Sequence, residues 1–277
     1  MNQQRPRIRR ILVALDTSPH SHAALEAAAN LAARLQAQLM GVYVEDMNLL
    51  RLAQLPFAHE IRYTSATLQK LDEVVVEKQL RSQASHARDA LRQTAELHAL
   101  EWSFRVLRGM VAAELLAAAA EADLLVLGRT SRQAGPHHVL GSTARSAVAQ
   151  SQRSILLMDT GFDLDQPPRL LYDGSEAAQR ALQIAAAIAG ANGRLSVLLL
   201  TPDEIIGRQW QRDIQTQLTG DNLQIECWTV PDAVKLAAVL ARMDVGLIVI
   251  GRTETPLLQA AMESLFQTGE QPVLIVQ

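Results

Sequence analysis

The hydrophobic positions of this chain fall into short, unbroken apolar runs separated by stretches in which Ala and Leu recur at helical spacing. The run at residues 11–15 is bounded by Arg10 and Asp16, and a continuous apolar run of that length reads as a strand buried on both faces of a parallel sheet. Residues 19–36 follow at helical spacing, with Ser18 placed to cap them and Pro19 suited to a first helical turn. Residues 39–44 predict the next strand. A mixed segment through Phe57, His59 and Tyr63 then leads to a charged amphipathic helix expected from about residue 65 to about residue 98. Beyond it, strands are predicted over 102–107, 124–127 and 154–158 and helices over 111–122 and 141–150, with a loop at 128–140.

This order then repeats. Arg10-Ile11-Leu12-Val13-Ala14-Leu15-Asp16-Thr17-Ser18 returns as Arg169-Leu170-Leu171-Tyr172-Asp173-Gly174-Ser175, an apolar strand ending on Asp with Ser two residues later. Leu124-Leu125-Val126-Leu127-Gly128-Arg129-Thr130 returns as Leu247-Ile248-Val249-Ile250-Gly251-Arg252-Thr253. The second copy predicts strands at 169–172, 194–200, 223–230, 245–250 and 273–276 and helices at 176–189, 204–218, 233–241 and 257–268. Repetition fixes the architecture before any motif is read. Strands joined by helical crossovers give parallel sheets, so the expectation is two tandem α/β domains of doubly wound, Rossmann-like type. The turn-rich stretch at 159–168 puts the boundary near Gly161, giving domains 1–160 and 161–277. The first copy is longer because of the segment after its second strand, which is an elaboration on the shared core.

Composition narrows the function. The 277 residues are 48% hydrophobic, enough for two cores. The net charge of -3 hides a mildly basic first half and an acidic second half: residues 1–160 carry 18 Lys and Arg against 15 Asp and Glu, and residues 161–277 carry 8 against 14. That balance suits a small anion and lacks the clustered cations of a nucleic-acid surface. Cys227 is the single cysteine, so an internal disulfide and a multi-cysteine metal cluster are excluded, and a buried, inert thiol is expected in its apolar run. Residues 1–10 have basic character but no apolar region of signal-peptide type behind them, and no run reaches the length of a membrane span. A soluble cytoplasmic protein that meets neither membrane nor nucleic acid is expected.

The candidate chemistry lies at strand ends. In open parallel sheets ligands sit beyond the carboxyl ends of the strands. Asp16 and Gly128 both end strands, and Gly128 opens the sequence Gly128-Arg129-Thr130-Ser131, then nine residues to Leu140 inclusive, then Gly141-Ser142-Thr143 at a helix start. Glycine allows close backbone approach, the first N–H groups of a helix are unpaired donors that favour an anion, and the hydroxyls of Ser142 and Thr143 add to the same spot. Simpler roles exist for the same residues. Asp16 suits a turn or helix cap, Gly128 and Gly141 suit an ordinary turn and helix start, and His137 and His138 read as exposed loop residues without a metal partner set. Arg129, Arg132 and Arg145 suit either phosphate contacts or solvated surface. No nucleophile with its base is visible, and no activator of a hydrolytic water can be named near Gly141, so at most a weak hydrolytic activity is expected.

Taken with these residues, both copies resemble universal stress protein domains, and the whole chain resembles the tandem form of that family. The family's nucleotide-binding members carry glycine, two residues, glycine, nine residues, then glycine and Ser or Thr. Gly128, Ser131, Gly141 and Ser142 match that spacing, with Ser131 standing for the second glycine. The resemblance implies five-stranded parallel sheets of order 3-2-1-4-5. It implies ATP or a related adenine nucleotide, with or without Mg²⁺, in the first domain: Asp16 at the adenosine, the backbone of Val42 at the adenine edge, and Gly128, Ser131, Gly141, Ser142 and Thr143 around ribose and phosphates. A serine at a positive φ costs on the order of 1 kcal/mol, which keeps a nucleotide-free scaffold or partner-binding stress protein as the alternative. The resemblance further implies intramolecular pairing of the two domains through their last strands, with a homodimer of the whole chain compatible with it. In the second copy Glu254 stands three after Gly251, and counting the same interval onward reaches Ser264 and Leu265. No nucleotide is expected there, and Asp173 reads as a remnant.

Overall fold

The computed structural model describes residues 8–55, 59–62, 67–70, 72–129, 140–159, 166–190, 193–240, 242, 246–252, 255–268 and 271–277. The first half runs β1 (Arg10–Ala14), α1 (Pro19–Leu35), β2 (Gln38–Asp46), α2 (Met47–Ala53), β3 (His59–Arg62), β4 (Thr67–Lys70), α3 (Glu73–Leu97), β5 (Trp102–Gly109), α4 (Val111–Ala119), β6 (Leu124–Gly128), α5 (Ser142–Gln150) and β7 (Ser154–Met158). The second half runs β8 (Arg169–Tyr172), α6 (Glu176–Ala189), β9 (Arg194–Leu200), α7 (Glu204–Gln217), β10 (Gln224–Val230), α8 (Ala233–Leu240), β11 (Ile248–Gly251), α9 (Pro256–Thr268) and β12 (Val273–Val276).

Ten of these strands form one sheet in the order β10-β9-β8-β11-β12-β7-β6-β1-β2-β5. Each half contributes five parallel strands in the order 3-2-1-4-5, as expected. The halves meet where β12 runs antiparallel to β7, with Val273 opposite Leu157, Leu274 opposite Leu156 and Ile275 opposite Ile155. That pairing removes two strand edges that would otherwise be open to other chains. It also points the carboxyl ends of the two half-sheets in opposite directions.

The continuous apolar runs are buried on both faces because helices cover both. On one face Val13 and Val126 of the first half and Val197 and Val249 of the second share a single core with α1, α3, α6 and α7. On the other, Leu12, Leu125 and Ile155 pack with α4 and α5, while Ile248, Ile250 and Ile275 pack with α8 and α9. Val148 and Phe266 touch both of these clusters and join them across the β7–β12 seam. A fully buried Leu or Ile contributes roughly 1.5–3 kcal/mol, so the strands are held chiefly by these faces. No helix among the described residues is long and apolar enough to cross a membrane.

Two expectations are corrected. The long amphipathic helix starts at Glu73 and not near residue 65. Asp72 caps it, its Oδ1 accepting from the N–H groups of Val74 at 2.8 Å and Val75 at 3.3 Å. Thr67–Lys70 instead pairs antiparallel with His59–Arg62 as a small separate hairpin. A side-chain cap fixes a helix start more strongly than apolar spacing does, because it satisfies otherwise orphan N–H groups. The second correction concerns Ser264 and Leu265, which are interior residues of α9 and not the start of a helix. Between Gly128 and α5 the chain spends thirteen residues, but between Gly251 and α9 only four, so a constant interval counted past the true helix start. The boundary proposed near Gly161 lies outside the described residues.

Candidate functional site

The repeated Asp-x-Ser segment folds the same way twice. Asp16 Oδ1 accepts from the Ser18 N–H at 3.0 Å, and Asp173 Oδ1 accepts from the Ser175 N–H at 3.1 Å. The intervening residue adopts a positive φ in each case, 60° at Thr17 and 78° at Gly174. Ser18 Oγ then caps α1 through the Ser21 N–H, and Ser175 Oγ caps α6 through the Ala178 N–H, both at 3.1 Å. The Asp therefore closes a turn and the Ser caps the helix, as the simpler reading of Asp16 held.

The two carboxylates differ at their second oxygen. Asp173 Oδ2 accepts the Thr255 hydroxyl at 2.9 Å. Asp16 is exposed, and among the described residues its Oδ2 has no partner. Thr255 directly precedes α9, and its carbonyl accepts from the Gln259 N–H. The residue that opens α5 in the first half is Gly141, which has no side chain to offer.

Gly141 holds α5 in place through the main chain: its N–H donates to the Arg129 carbonyl at 2.8 Å, and its carbonyl accepts from the Arg145 N–H at 2.9 Å. No side chain caps this helix. The N–H groups of Ser142, Thr143 and Ala144 consequently have no acceptor among the described residues, whereas α1, α2, α3, α6 and α7 are each closed by Ser or Asp.

These groups border one cavity of about 390 Å³ at the carboxyl ends of β1, β2 and β6. Asp16, Val42, Gly128, Gly141, Ser142 and Thr143 all line it. Of the sequence-identified set, Ser131 lies outside the described residues, as do Arg132, His137 and His138. Val42 is buried and packs in the core shared with α4, and its carbonyl accepts the Leu15 N–H at 2.9 Å. Apolar walls come from Val42, Leu115 and Leu127, and polar edges from Ser21, Gln83 and Asp46. Gln83 Oε1 accepts the Tyr43 hydroxyl at 2.8 Å. Tyr43, Gln83, Val111 and Leu115 were not singled out from sequence. Val111 was findable, since it opens the helix after the third strand of the unit, but Gln83 sits mid-helix with no local signal.

Gly128 is glycine for a packing reason. A Cβ there would stand 2.9 Å from the Cβ of His20, so its absence lets the first turn of α1 cross the strand end. At Gly251 the equivalent Cβ would stand 2.3 Å from the carbonyl carbon of Ala177 in α6.

Arg129 is not a phosphate contact or a solvated surface charge. It is 2% exposed and turns toward the second half, donating to the carbonyls of Leu265 and Phe266 at 3.1 Å and of Gln271 at 3.3 Å. Its guanidinium lies 5.9 Å from the centre of the Phe266 ring. Burial pushes its pKa down while the Asp159 carboxylate pulls it up, and an arginine remains charged under both. Arg145 donates to the Leu140 carbonyl at 3.2 Å. Among the described residues no cluster of His, Cys, Asp and Glu has a metal-holding arrangement.

Sequence comparison adds the family. The model of the universal stress protein family matches residues 7–158, just over half of the chain. The chain belongs to the universal stress protein family. No curated protein matches it. Among solved structures, a universal stress protein from Archaeoglobus fulgidus DSM 4304 is 15% identical over 97% of this chain and 98% of its own, with a TM-score of 0.67. A protein of unknown function from Pseudomonas aeruginosa PAO1 is 18% identical over 97% of this chain and 92% of its own, with a TM-score of 0.62. At these identities the likeness is one of fold, and it extends over both halves of the chain. A universal stress protein solved in complex with cAMP is 20% identical over 56% of this chain and 99% of its own, with a TM-score of 0.38.

Proposed function

We propose that this universal stress protein binds ATP or a related adenine nucleotide in its first domain, residues 1–160, and none in its second, residues 161–277. The observation that carries the reading is the uncapped start of α5. Among the described residues the N–H groups of Ser142, Thr143 and Ala144 have no acceptor and Asp16 Oδ2 has no partner, and these groups with the Ser142 and Thr143 hydroxyls border the same cavity. A helix start of this kind accommodates phosphate oxygens without a lysine. The Asp16 carboxylate, at the other side of the cavity, is an acceptor for ribose hydroxyls, and Val42 with Leu115 gives an apolar wall for the base. The volume falls within the range of small-ligand sites, roughly 300–1,000 Å³.

In the second domain the equivalent carboxylate is closed by Thr255, and only four residues separate Gly251 from α9. A loop that short leaves no span to wrap a triphosphate. A cytoplasmic role in stress response, with Mg²⁺ accompanying the nucleotide and the whole chain forming a homodimer, extends this reading.

A second reading, a nucleotide-free scaffold that binds a protein partner, is favoured by Arg129. It is the one cation among the described lining residues, and it is spent on α9. Thermal-shift measurements with ATP, ADP and AMP separate the two. A shift in the wild type that is lost in Gly141→Asp supports the nucleotide site, and no shift in either protein supports the scaffold.

A further inference from the structure

The grooves between α1 and α3 and between α6 and α7 lie on the sheet face away from α5, and the two halves fill them differently. In the first half Leu15, Thr17, His22, His86, Ala87 and Ala90 line it. In the second, Tyr172, Gly174, Gln179, Gln209, Trp210 and Asp213 line a cavity of about 320 Å³. The positions correspond in register: Leu15 with Tyr172 before the repeated Asp, His22 with Gln179 four residues after the repeated Ser, and His86, Ala87 and Ala90 with Gln209, Trp210 and Asp213 at a constant offset along the helix. The second half thus places two aromatic rings, two amides and a carboxylate where the first has mostly small or apolar groups.

Tyr172 and Trp210 pack on the shared core and also border the cavity. The rings of Tyr172 and Trp210 meet edge to face, with centroids 5.6 Å apart and planes at 81°. Gly174 makes room for the indole, since a Cβ there would stand 2.3 Å from its Cζ2. Tyr172 is only 3% exposed, yet among the described residues its hydroxyl makes no hydrogen bond, and neither do the indole N–H of Trp210 and the carboxylate of Asp213. Burial first, then the charges of Asp213 and Asp173, push the Tyr172 pKa up, so both carboxylates act on the cavity floor. No Lys or Arg is among the described residues that line it.

We infer that this cavity binds a small organic cation of the alkylammonium class. Its charge meets Asp213, its carbon-bound positive surface lies against Trp210, and the Tyr172 hydroxyl with the Gln179 and Gln209 amides takes its polar substituents. Aromatic faces beside a carboxylate attract such cations, and a desolvated setting strengthens the attraction. The site is separate from the first-domain cavity and does not depend on nucleotide binding.

The test is an NMR titration of the full chain with choline and with its neutral carbon isostere, reading the indole N–H signal of Trp210, assigned through Trp210→Phe. A saturable shift with choline, absent with the isostere and abolished in Asp213→Asn, is expected. Asp213 is exposed and makes no hydrogen bond among the described residues, so Asp213→Asn should keep the melting temperature of the wild type and serve as a folded control. A wild-type signal that does not move, an equal response to the isostere, or an unchanged shift in Asp213→Asn would each overturn the inference.

Discussion

Arg129 and Arg252 exchange places across the seam between the two halves. Arg129, which follows β6, reaches the last carbonyls of α9 at Leu265 and Phe266. Arg252, which follows β11, reaches the last carbonyls around α5, donating to Ser151 at 3.0 Å and Ala149 at 3.1 Å. Each half thereby satisfies the orphan acceptors at the helix end of the other with a cation, the charge that a helix C-terminus favours. Arg129 also carries the carbonyl that fixes Gly141, so the inter-half clasp and the start of α5 share one residue.

The clasp is unequal, and its two arms should differ in stability. Arg129 is buried and Arg252 exposed. Replacing Arg129 with Met strands one buried and two half-buried carbonyls and should cost about 3 kcal/mol, whereas Arg252→Met should cost about 1 kcal/mol. Urea denaturation of both variants measures the difference. Equal losses would contradict the asymmetry.

The strand-end glycines should tolerate a methyl group poorly and in a definite order. At Gly128 the nearest obstruction is the Cβ of His20 at 2.9 Å with that residue's backbone at 3.2 Å, whereas at Gly251 it is helix backbone at 2.3 Å; neither can rotate away, so the closer approach demands the larger shift. Gly251→Ala is therefore expected to lower the melting temperature more than Gly128→Ala, with overpacking costs of about 1–3 kcal/mol each. The reverse order would show that the helix starts yield more easily than the geometry indicates.

The repeated caps should weigh alike. Ser18→Ala and Ser175→Ala each remove one hydroxyl acceptor from a first-turn N–H and should each cost about 1 kcal/mol. Calorimetric melting of the two variants checks this. A negligible effect at either site would show that water replaces the cap there.

Cys227 should resist alkylation. Burial pushes its thiol up to about 11, so at pH 8 the thiolate is roughly two hundredfold scarcer than for an ordinary cysteine, and iodoacetamide labelling should slow in proportion until the protein unfolds. The sign for stability follows. The fold prefers the neutral thiol, so its contribution is complete below the ordinary cysteine range and is lost as pH rises toward 11. Cys227→Ala should flatten the alkaline fall in stability, and rapid labelling of the native protein would contradict the burial.

Much of the framework was legible because it is written in local pattern. The apolar runs ending at Asp16 and Asp173 gave the strands, and their fixed distance to Ser18 and Ser175 gave the helix starts. The strand order followed from the family resemblance and not from periodicity, which says nothing about neighbours. The hairpin of β3 and β4 was missed because four-residue runs fit strand and helix alike. Ser264 and Leu265 were misplaced because the interval from Gly251 to the next helix had shortened, and no residue marks a deletion. The Arg129 and Arg252 clasp leaves no sequence trace, since its acceptors are main-chain carbonyls that every residue carries. Tyr172, Trp210 and Asp213 come together only when α6 and α7 are laid side by side.

On the proposed reading the amides opening α5 receive a nucleotide and the second domain receives none. Amide NMR of the isotopically labelled chain during an ATP titration tests this most directly. The Ser142, Thr143 and Ala144 signals are expected to shift and saturate at one nucleotide per chain, while Thr255 and the first turn of α9 stay still. Stationary signals at 142–144, or saturable shifts at the start of α9, would contradict it.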